Sequence, residues 1–351
     1  MKNSQNERSF PPKKLNFLTH KKFAGNFLSL QRKVSNGPST LFLGSGISKT
    51  ANLPDWKSLL KTICEIFLVH WFFEKDEKTQ NLFKPPHKLS IAFTDVYETL
   101  CSEKMQDIAE KFLSDDLLML TQQIKNCIRP RDWKYLLRKS LYINGPPRYK
   151  SSLIESITAL IKQLDDQLVG VINYNYDDAV ELNLKEKNIR FKTVTNNFDL
   201  INDNKLNIFH PHGYIPYSGG AESDSFVLSE DTYQEQSNLS FSINNNIQLS
   251  SLYHTTCIFI GLSMRDPHLR KLLKFSCKYS KKKHFVLINE NPNQDKFNKM
   301  KQALFDKDLK NIGVNVIRYP LSEGEKGKFK KLPLLINYLV EGIKDDSFIW
   351  Q

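Results

Sequence analysis

Apolar residues along the chain fall into two textures. From about residue 56 to 165 they recur at helical spacing. Leu59, Leu60, Ile63, Ile66 and Phe67 share one face at i, i+3, i+4 intervals, and LSDDLLMLTQQIKNCI, DWKYLLRKSLYI and LIESITALIKQL read alike. From residue 168 the apolar residues come in short continuous runs: LVGVI (168–172), NIF (207–209), CIFI (257–260) and FVLI (285–288). Segments of helical pattern over 177–187, 267–275 and 294–305 separate them. Strands apolar on both faces and alternating with helices predict a parallel sheet covered on both sides. One more such run, Thr40-Leu41-Phe42-Leu43, lies far upstream and closes in Gly44-Ser45-Gly46, the pattern of a buried strand entering a tight turn. The fold class expected is α/β, a Rossmann-like, mostly parallel sheet over 37–56 and 166–351. A helical insertion over 57–165 splits it, and a basic N-terminal segment, 1–36, precedes it with a short helix over about 20–34. A final helical segment covers 328–343. The helical block shows no internal repeat.

The length of 351 residues allows roughly two domains, or one with a large insertion, and suffices for a core without disulfides or a structural metal. The most apolar stretch, ICEIFLVHWFF (63–73), is interrupted by Glu65 and His70, so it reads as a buried amphipathic helix rather than a membrane span. The opening MKNSQNERSFPPKK lacks the apolar core of a signal peptide. The five cysteines, Cys64, Cys101, Cys127, Cys257 and Cys277, are odd in number and form no CxxC pair. Neither a disulfide framework nor a four-cysteine zinc site is expected, which points to a reducing, cytoplasmic setting. Fifty Lys and Arg against 38 Asp and Glu give a net charge of +12. Solvated basic faces are the plainer reading of that excess, and an acidic partner such as nucleic acid a weaker one. Residues 1–36 hold eight basic residues and one acidic, Glu7.

Candidate chemistry sits where strands end. After the first strand, Gly44 and Gly46 permit a tight turn and close backbone approach to a phosphate, with Ser45 and Ser48 as hydroxyl donors. The spacing is neither a full GxGxxG nor a Walker loop, and an ordinary turn reads the same way. Asn173-Tyr174-Asn175-Tyr176-Asp177 follows the strand at 168–172, at the edge where open α/β sheets bind ligands. The structural alternative makes Asp177 a helix N-cap and Asn175 a turn residue. His210-Pro211-His212-Gly213 follows the next strand, and a histidine beside a glycine at a strand end is a base candidate. Gly261-Leu262-Ser263-Met264-Arg265-Asp266-Pro267 is the fourth such turn, equally readable as a plain strand-to-helix connection with Asp266 as cap and Pro267 at the first helical position.

Taken in order, these segments resemble the sirtuin superfamily over about residues 40–320. GSGIS…LPDW is similar to the family's GAGIS…IPDF, NYNYD to its TQNID or TTNYD segment, PHG to its HG, GLSM to GTSL, and Leu287-Ile288-Asn289 to its IN. The paired CxxC motifs that hold the deacylases' structural zinc are missing, and the helical insertion stands in that module's place. Lys57 occupies the position of an arginine, and Ser45 that of the commoner alanine. NYDDAVE and GLSMRDPHLRKLL are more similar to bacterial sirtuin-like effectors of antiphage defence, which hydrolyse NAD. The resemblance implies NAD as substrate and no metal. It implies Asn175 orienting the nicotinamide ribose or the attacking water, and His212 as general base. Gly44, Ser45, Gly46, Ser48, Asp55, Asp177, Gly261, Ser263 and Asn289 are implied to hold NAD, with Ser263 on phosphate and Asn289 on the adenine ribose. The activity implied is NAD glycohydrolase in abortive infection. The alternatives are a non-catalytic NAD or nucleotide sensor, a nucleic-acid-binding module, or a protein deacylase or ADP-ribosyl transferase. A hydrolase of NAD needs restraint in its host, so a homo-oligomer is expected. So is a partner such as a ring-forming (HerA-like) translocase-type ATPase or an Argonaute-like protein. Leu68, Trp71, Phe72 and Phe73 are candidates for a subunit interface or for plain core, and no membrane association is expected.

Overall fold

The centre of the molecule is the early strand. In the computed structural model, β1 (Ser39–Leu43) is flanked by β2 (Leu168–Asn173) on one side and β5 (Thr256–Ile260) on the other, both parallel to it. The structure describes residues 13–73 except 17 and 19, 111, 116–195, 205–219, 223, 226–229, 231, 232, 234, 243–290, 295–320, 331–345 and 347. With β3 (Phe191–Val194), β4 (Leu206–Phe209), β6 (His284–Glu290) and β7 (Val314–Pro320), the described strands form one all-parallel sheet in the order β3-β4-β2-β1-β5-β6-β7.

The continuous apolar runs follow from burial on both faces. Leu41 and Leu43 join Ile258, Ile260, Phe285 and Leu287 in one core, while Phe42 joins Phe259 and Val286 in the other. The first face is covered by α1 (Lys21–Ser35), α6 (Ser152–Leu164) and α11 (Lys331–Lys344), the second by α8 (Ile243–His254), α9 (Pro267–Tyr279) and α10 (Lys296–Asn311). Of the basic N-terminal segment, α1 is an integral layer. Phe27, Leu30 and Val34 enter the core, Asn26 Nδ2 donates to the Val316 carbonyl at 2.7 Å, and Gln31 Nε2 donates to that of Gly342 at 2.7 Å.

Between β1 and β2 run α2 (Ser45–Thr50), α3 (Trp56–Phe73), α4 (Leu117–Cys127), α5 (Pro130–Leu141) and α6. Leu59, Leu60, Ile63, Ile66 and Phe67 of α3 are buried, as their spacing predicts, and so is Leu68; the side chains of Trp71, Phe72 and Phe73 lie outside the described residues, as do Glu7 and Cys101. Trp133, Leu136 and Leu137 of α5 join the same core. Among the described residues no helix is long and apolar enough to cross a membrane, and no cluster of His, Cys, Asp and Glu has the makings of a metal site. Burial pushes the Cys64 and Cys257 thiols up to about 12, so neither is a thiolate at neutral pH.

Two strands were not marked by apolar runs. β3 is an edge strand of which only Val194 is fully buried. β7 carries Arg318, buried because its guanidinium meets Asp306 of α10 at 2.6 Å and donates to the Asn289 carbonyl.

Candidate functional site

At β1 the strand order turns: β2 lies to one side, β5 to the other, and the loops after them part. A cleft of about 830 Å³ opens there, at the C-terminal ends of the strands. Ser45 and Ser48 reach it from the β1 turn, Tyr174, Asn175, Tyr176 and Asp177 from β2, and His212 from the loop after β4. The turn after β5 and the start of α9 supply Gly261 to Ser263, Arg265 to His268, and Lys271. Trp56, Leu59, Leu118 and Leu141 from α3, α4 and α5 complete the wall, so the helical insertion lines the cleft directly.

The glycine turn does a different job from the one its sequence suggests. The N–H groups of Gly44 and Gly46 donate to the carbonyls of Ile260 and Gly261, both at 3.0 Å, and so point into the β5 loop rather than toward a phosphate. A Cβ on Gly44 would lie 2.5 Å from Leu262, and one on Gly261, whose φ is +71°, would lie 2.9 Å from the Gly44 carbonyl. The glycines lock two strand-end loops face to face. Met264 shares the left-handed backbone at φ 58°, a costly conformation for a side chain, and is held by its own complete burial. Ser48 likewise spends its one proton inside the protein, donating to Asp177 Oδ2 at 2.6 Å, which corrects its assignment as a phosphate donor. Ser45 lines the cleft from the same turn.

Asn175 is pinned on three sides. Its N–H donates to Asn173 Oδ1 at 3.1 Å, its Nδ2 to the Gly44 carbonyl at 3.1 Å, and its own carbonyl accepts from His210 Nδ1 at 2.8 Å. None of these contacts uses Asn175 Oδ1, the acceptor end of the amide. Asp177 accepts from the Ala179 N–H at 3.1 Å ahead of α7 (Ala179–Glu186), in an Asx turn, while Asp178 holds the N-cap position without a side-chain capping bond. Burial raises the Asp177 carboxyl above its ordinary range, against the Ser48 hydrogen bond. Asp178 is raised to about 6, by burial first and the Asp177 charge after it, and accepts from the Tyr217 N–H at 3.0 Å and the Tyr142 hydroxyl at 3.2 Å.

The two histidines of the HPHG segment separate by their partners. His210 is buried between the Asn175 carbonyl and Glu181 Oε1, the latter 2.6 Å from Nε2. A carbonyl only accepts, so the Nδ1–H donates to Asn175 while Nε2 faces the Glu181 carboxylate. His210 is therefore committed to holding the Asn175 loop. His212 lines the cleft, its ring edge-on to Tyr174 at 4.6 Å. Burial pushes its imidazolium down to about 4, with Asp266 opposing and His268 adding to the shift, so the ring is neutral at pH 7 and can accept a proton.

Sequence reading placed Gly44, Ser45, Gly46, Ser48, Asn175, Asp177, His212, Gly261 and Ser263 around one cleft, and so they stand, Gly44 and Gly46 by supporting it. Two further assignments do not meet it. Asp55 caps α3, accepting from the Ser58 N–H at 2.8 Å, and pairs with Lys49 at 2.5 Å. Asn289 stands exposed at the end of β6. Neither lines the cleft. Asp266 is the cap its position predicts, accepting from the Leu269 N–H at 2.7 Å with Pro267 opening α9. The His210–Glu181 pair carried no signal, because it joins residues 29 apart that only the fold brings together. Arg265 and Lys271, the cations on the cleft rim, are ordinary helix-approach residues until the fold places them.

Among curated proteins none matches the chain. The model of the SIR2-like domain family matches residues 169–317, the stretch from β2 to β7 that carries the Asn175, His212 and Ser263 loops. SIR2-like domains are typically NAD-dependent enzymes, and from β2 to β7 this chain is a sirtuin-like domain.

Proposed function

We propose that the protein is an NAD glycohydrolase, cleaving the nicotinamide–ribose bond with water. The observation that carries this reading is His212: a neutral, buried imidazole in the same cleft as an Asn175 amide pinned on three sides. The cleft volume suits a dinucleotide. Cleavage passes through an oxocarbenium-like state, as glycoside hydrolysis does. The C1′–N bond breaks with its electron pair going to the pyridinium nitrogen, so nicotinamide leaves neutral and no general acid is required. Water attacks C1′, His212 takes its proton, and the products are nicotinamide, ADP-ribose and H⁺. Asn175 Oδ1 orients the water or a ribose hydroxyl, and the rigid hold on its backbone gives that orientation its value. Ser263, Arg265 and Lys271 lie on the exposed rim, where cations and a hydroxyl suit the pyrophosphate.

The biological setting we propose is antiphage defence by NAD depletion, supported by the likeness of the NYDDAVE and GLSMRDPHLRKLL segments to such effectors. In that setting the chain works as a homo-oligomer under a trigger, with a translocase-type ATPase or an Argonaute-like protein as the partner class. Purified protein, alone and under forced assembly, is incubated with NAD and the products are separated by chromatography. Nicotinamide and ADP-ribose should appear in equal amounts without any peptide. Release that depends on an acyl-lysine peptide, or tight NAD binding with no turnover in the assembled state, would overturn the reading in favour of a deacylase or a sensor.

A further inference from the structure

From Pro267 to Lys283 the chain holds seven Lys and Arg and no Asp or Glu in 17 residues, against a net charge of +12 for all 351. This segment is α9 and the connection into β6. At 100° per residue, Lys271, Lys274 and Lys278 form one row along the helix, and Phe275 and Tyr279 form a second row beside it. Leu269, Leu272 and Leu273 take the opposite side into the core, so the fold turns both rows outward. The aromatic rings are unusual for a solvated face. Phe275 is 48% and Tyr279 72% exposed, and they stand 5.4 Å apart, tilted at 58°. Core packing explains neither ring. An amphipathic lipid-binding helix is not the better reading, since the residues beside the lysines are few and include a phenol rather than a broad aliphatic face.

We infer that the outer face of α9, continued by Lys281 to Lys283, is a binding surface for single-stranded nucleic acid. The lysine row meets the phosphates, and Phe275 and Tyr279 offer ring faces on which bases stack. A cation row beside exposed aromatic rings is the arrangement that binds single strands without reading sequence. The row begins at Lys271 on the cleft rim, so a strand bound along α9 runs up to the mouth of the cleft. The inference does not rest on hydrolysis of NAD, and its test reads binding alone.

The probe is a fluorescein-labelled 20-nucleotide oligo(dT), followed by anisotropy at 50 and 200 mM salt. For about five phosphate contacts, affinity should fall roughly 100-fold between those salt concentrations. Lys274→Glu/Lys278→Glu/Lys281→Glu should abolish binding at 200 mM. A control triple of equal charge change on other exposed lysines, Lys57→Glu/Lys61→Glu/Lys162→Glu, should bind within about threefold of the parent at 50 mM. Phe275→Ala/Tyr279→Ala should weaken binding by about tenfold or more while leaving the salt slope unchanged, because stacking releases no counterions. Thermal unfolding of each variant within a few degrees of the parent secures the comparison. Equal loss in the control triple, or no effect of the aromatic pair, reduces the surface to bulk charge and overturns the proposal. So does absence of binding at 50 mM, or tighter binding to phosphatidylserine vesicles than to the oligonucleotide.

Discussion

On the β2–β4 side of the cleft, the polar side chains are buried and tied to one another: Ser48 to Asp177, Asn175 to Gly44, His210 to Glu181. On the β5–α9 side, Ser263, Arg265 and Lys271 are exposed on the rim. One wall is preorganised and near-neutral or acidic; the other is cationic and adaptable. The difference assigns tasks. A group that must act at one atom profits from rigidity, because reorganisation during the reaction is avoided. A group that gathers a phosphate profits from reach, since charge acts at a distance and tolerates motion. The first wall should therefore govern turnover and the second wall affinity.

The largest expected effect tests the rigid wall. His212→Ala and Asn175→Ala should each lower kcat for NAD hydrolysis by about 100-fold or more, with KM changed little. The acid limb of kcat/KM should lie near pH 4 rather than 6.5, because burial depresses His212 to about 4 and leaves it able to accept a proton above that. An acid limb at 6.5 that vanishes in His212→Ala would place this histidine in water rather than in the wall. The same depression has a stability sign. Below 6.5 the unfolded chain takes up a proton that folded His212 refuses until about pH 4, so its contribution falls as pH drops through that window.

The seam between the walls is probed next. Gly261→Ala meets both a left-handed backbone and the Gly44 carbonyl, and should cost about 2–4 kcal/mol. Gly145 has φ +85° with nothing within 4 Å of a Cβ, so Gly145→Ala carries the backbone strain alone, about 1 kcal/mol. Differential scanning calorimetry should rank the two in that order, and equal melting temperatures would mean that the loops are not locked through the glycines. On the adaptable wall, Arg265→Ala should raise KM by about tenfold and leave kcat nearly intact. A loss confined to kcat would move Arg265 to the reactive side and dissolve the division of labour.

The smallest effect concerns Asp178, behind the rigid wall. Its carboxyl is raised to about 6 against an ordinary 3.8, so its folded-state contribution is best below about 3.8 and is lost as pH rises through 6. Asp178→Asn should stabilise the protein by roughly 1–3 kcal/mol at pH 8, with the gain shrinking toward zero at pH 4, as read from denaturant midpoints. A gain independent of pH would show that the carboxylate is not the strained group.

How far the sequence carries depends on which forces are local. The runs at 40–43, 168–172, 257–260 and 285–288 announce themselves because both faces of a central strand are buried and every position is apolar. β3 has one open face at the sheet edge and shows only Phe191 and Val194; β7 hides behind Arg318, whose burial makes sense only beside Asp306. In the site, residue types and their order located the cleft, and His212 stands in it as expected. Hydrogen-bond direction was not legible. The glycine turn reads as a phosphate cradle until Gly44 and Gly46 are seen donating into the β5 loop, and Asp55 reads as a ligand contact until it is seen capping α3. The glycine bonds join residues more than 200 positions apart, where local pattern is blind. The Asp55 cap is local, three residues from Ser58, and an Asp ahead of a helix is itself a capping signal.

The early position of β1 also bears on how the protein is made. Its ladder partners are far downstream: Ser39 aligns with Leu168 on one side and with Thr256 on the other. At about 5–20 residues per second, a ribosome needs roughly 10–40 seconds to travel from β1 to β5. Throughout that interval five residues destined for complete burial have no finished sheet to enter, and closing such long loops is slow. Long-range parallel pairing of this kind leaves apolar segments uncovered for longer than a hairpin would. The same delay postpones the cleft. Until the chain has been translated through β5 and on to Lys271 of α9, the cleft lacks one of its walls.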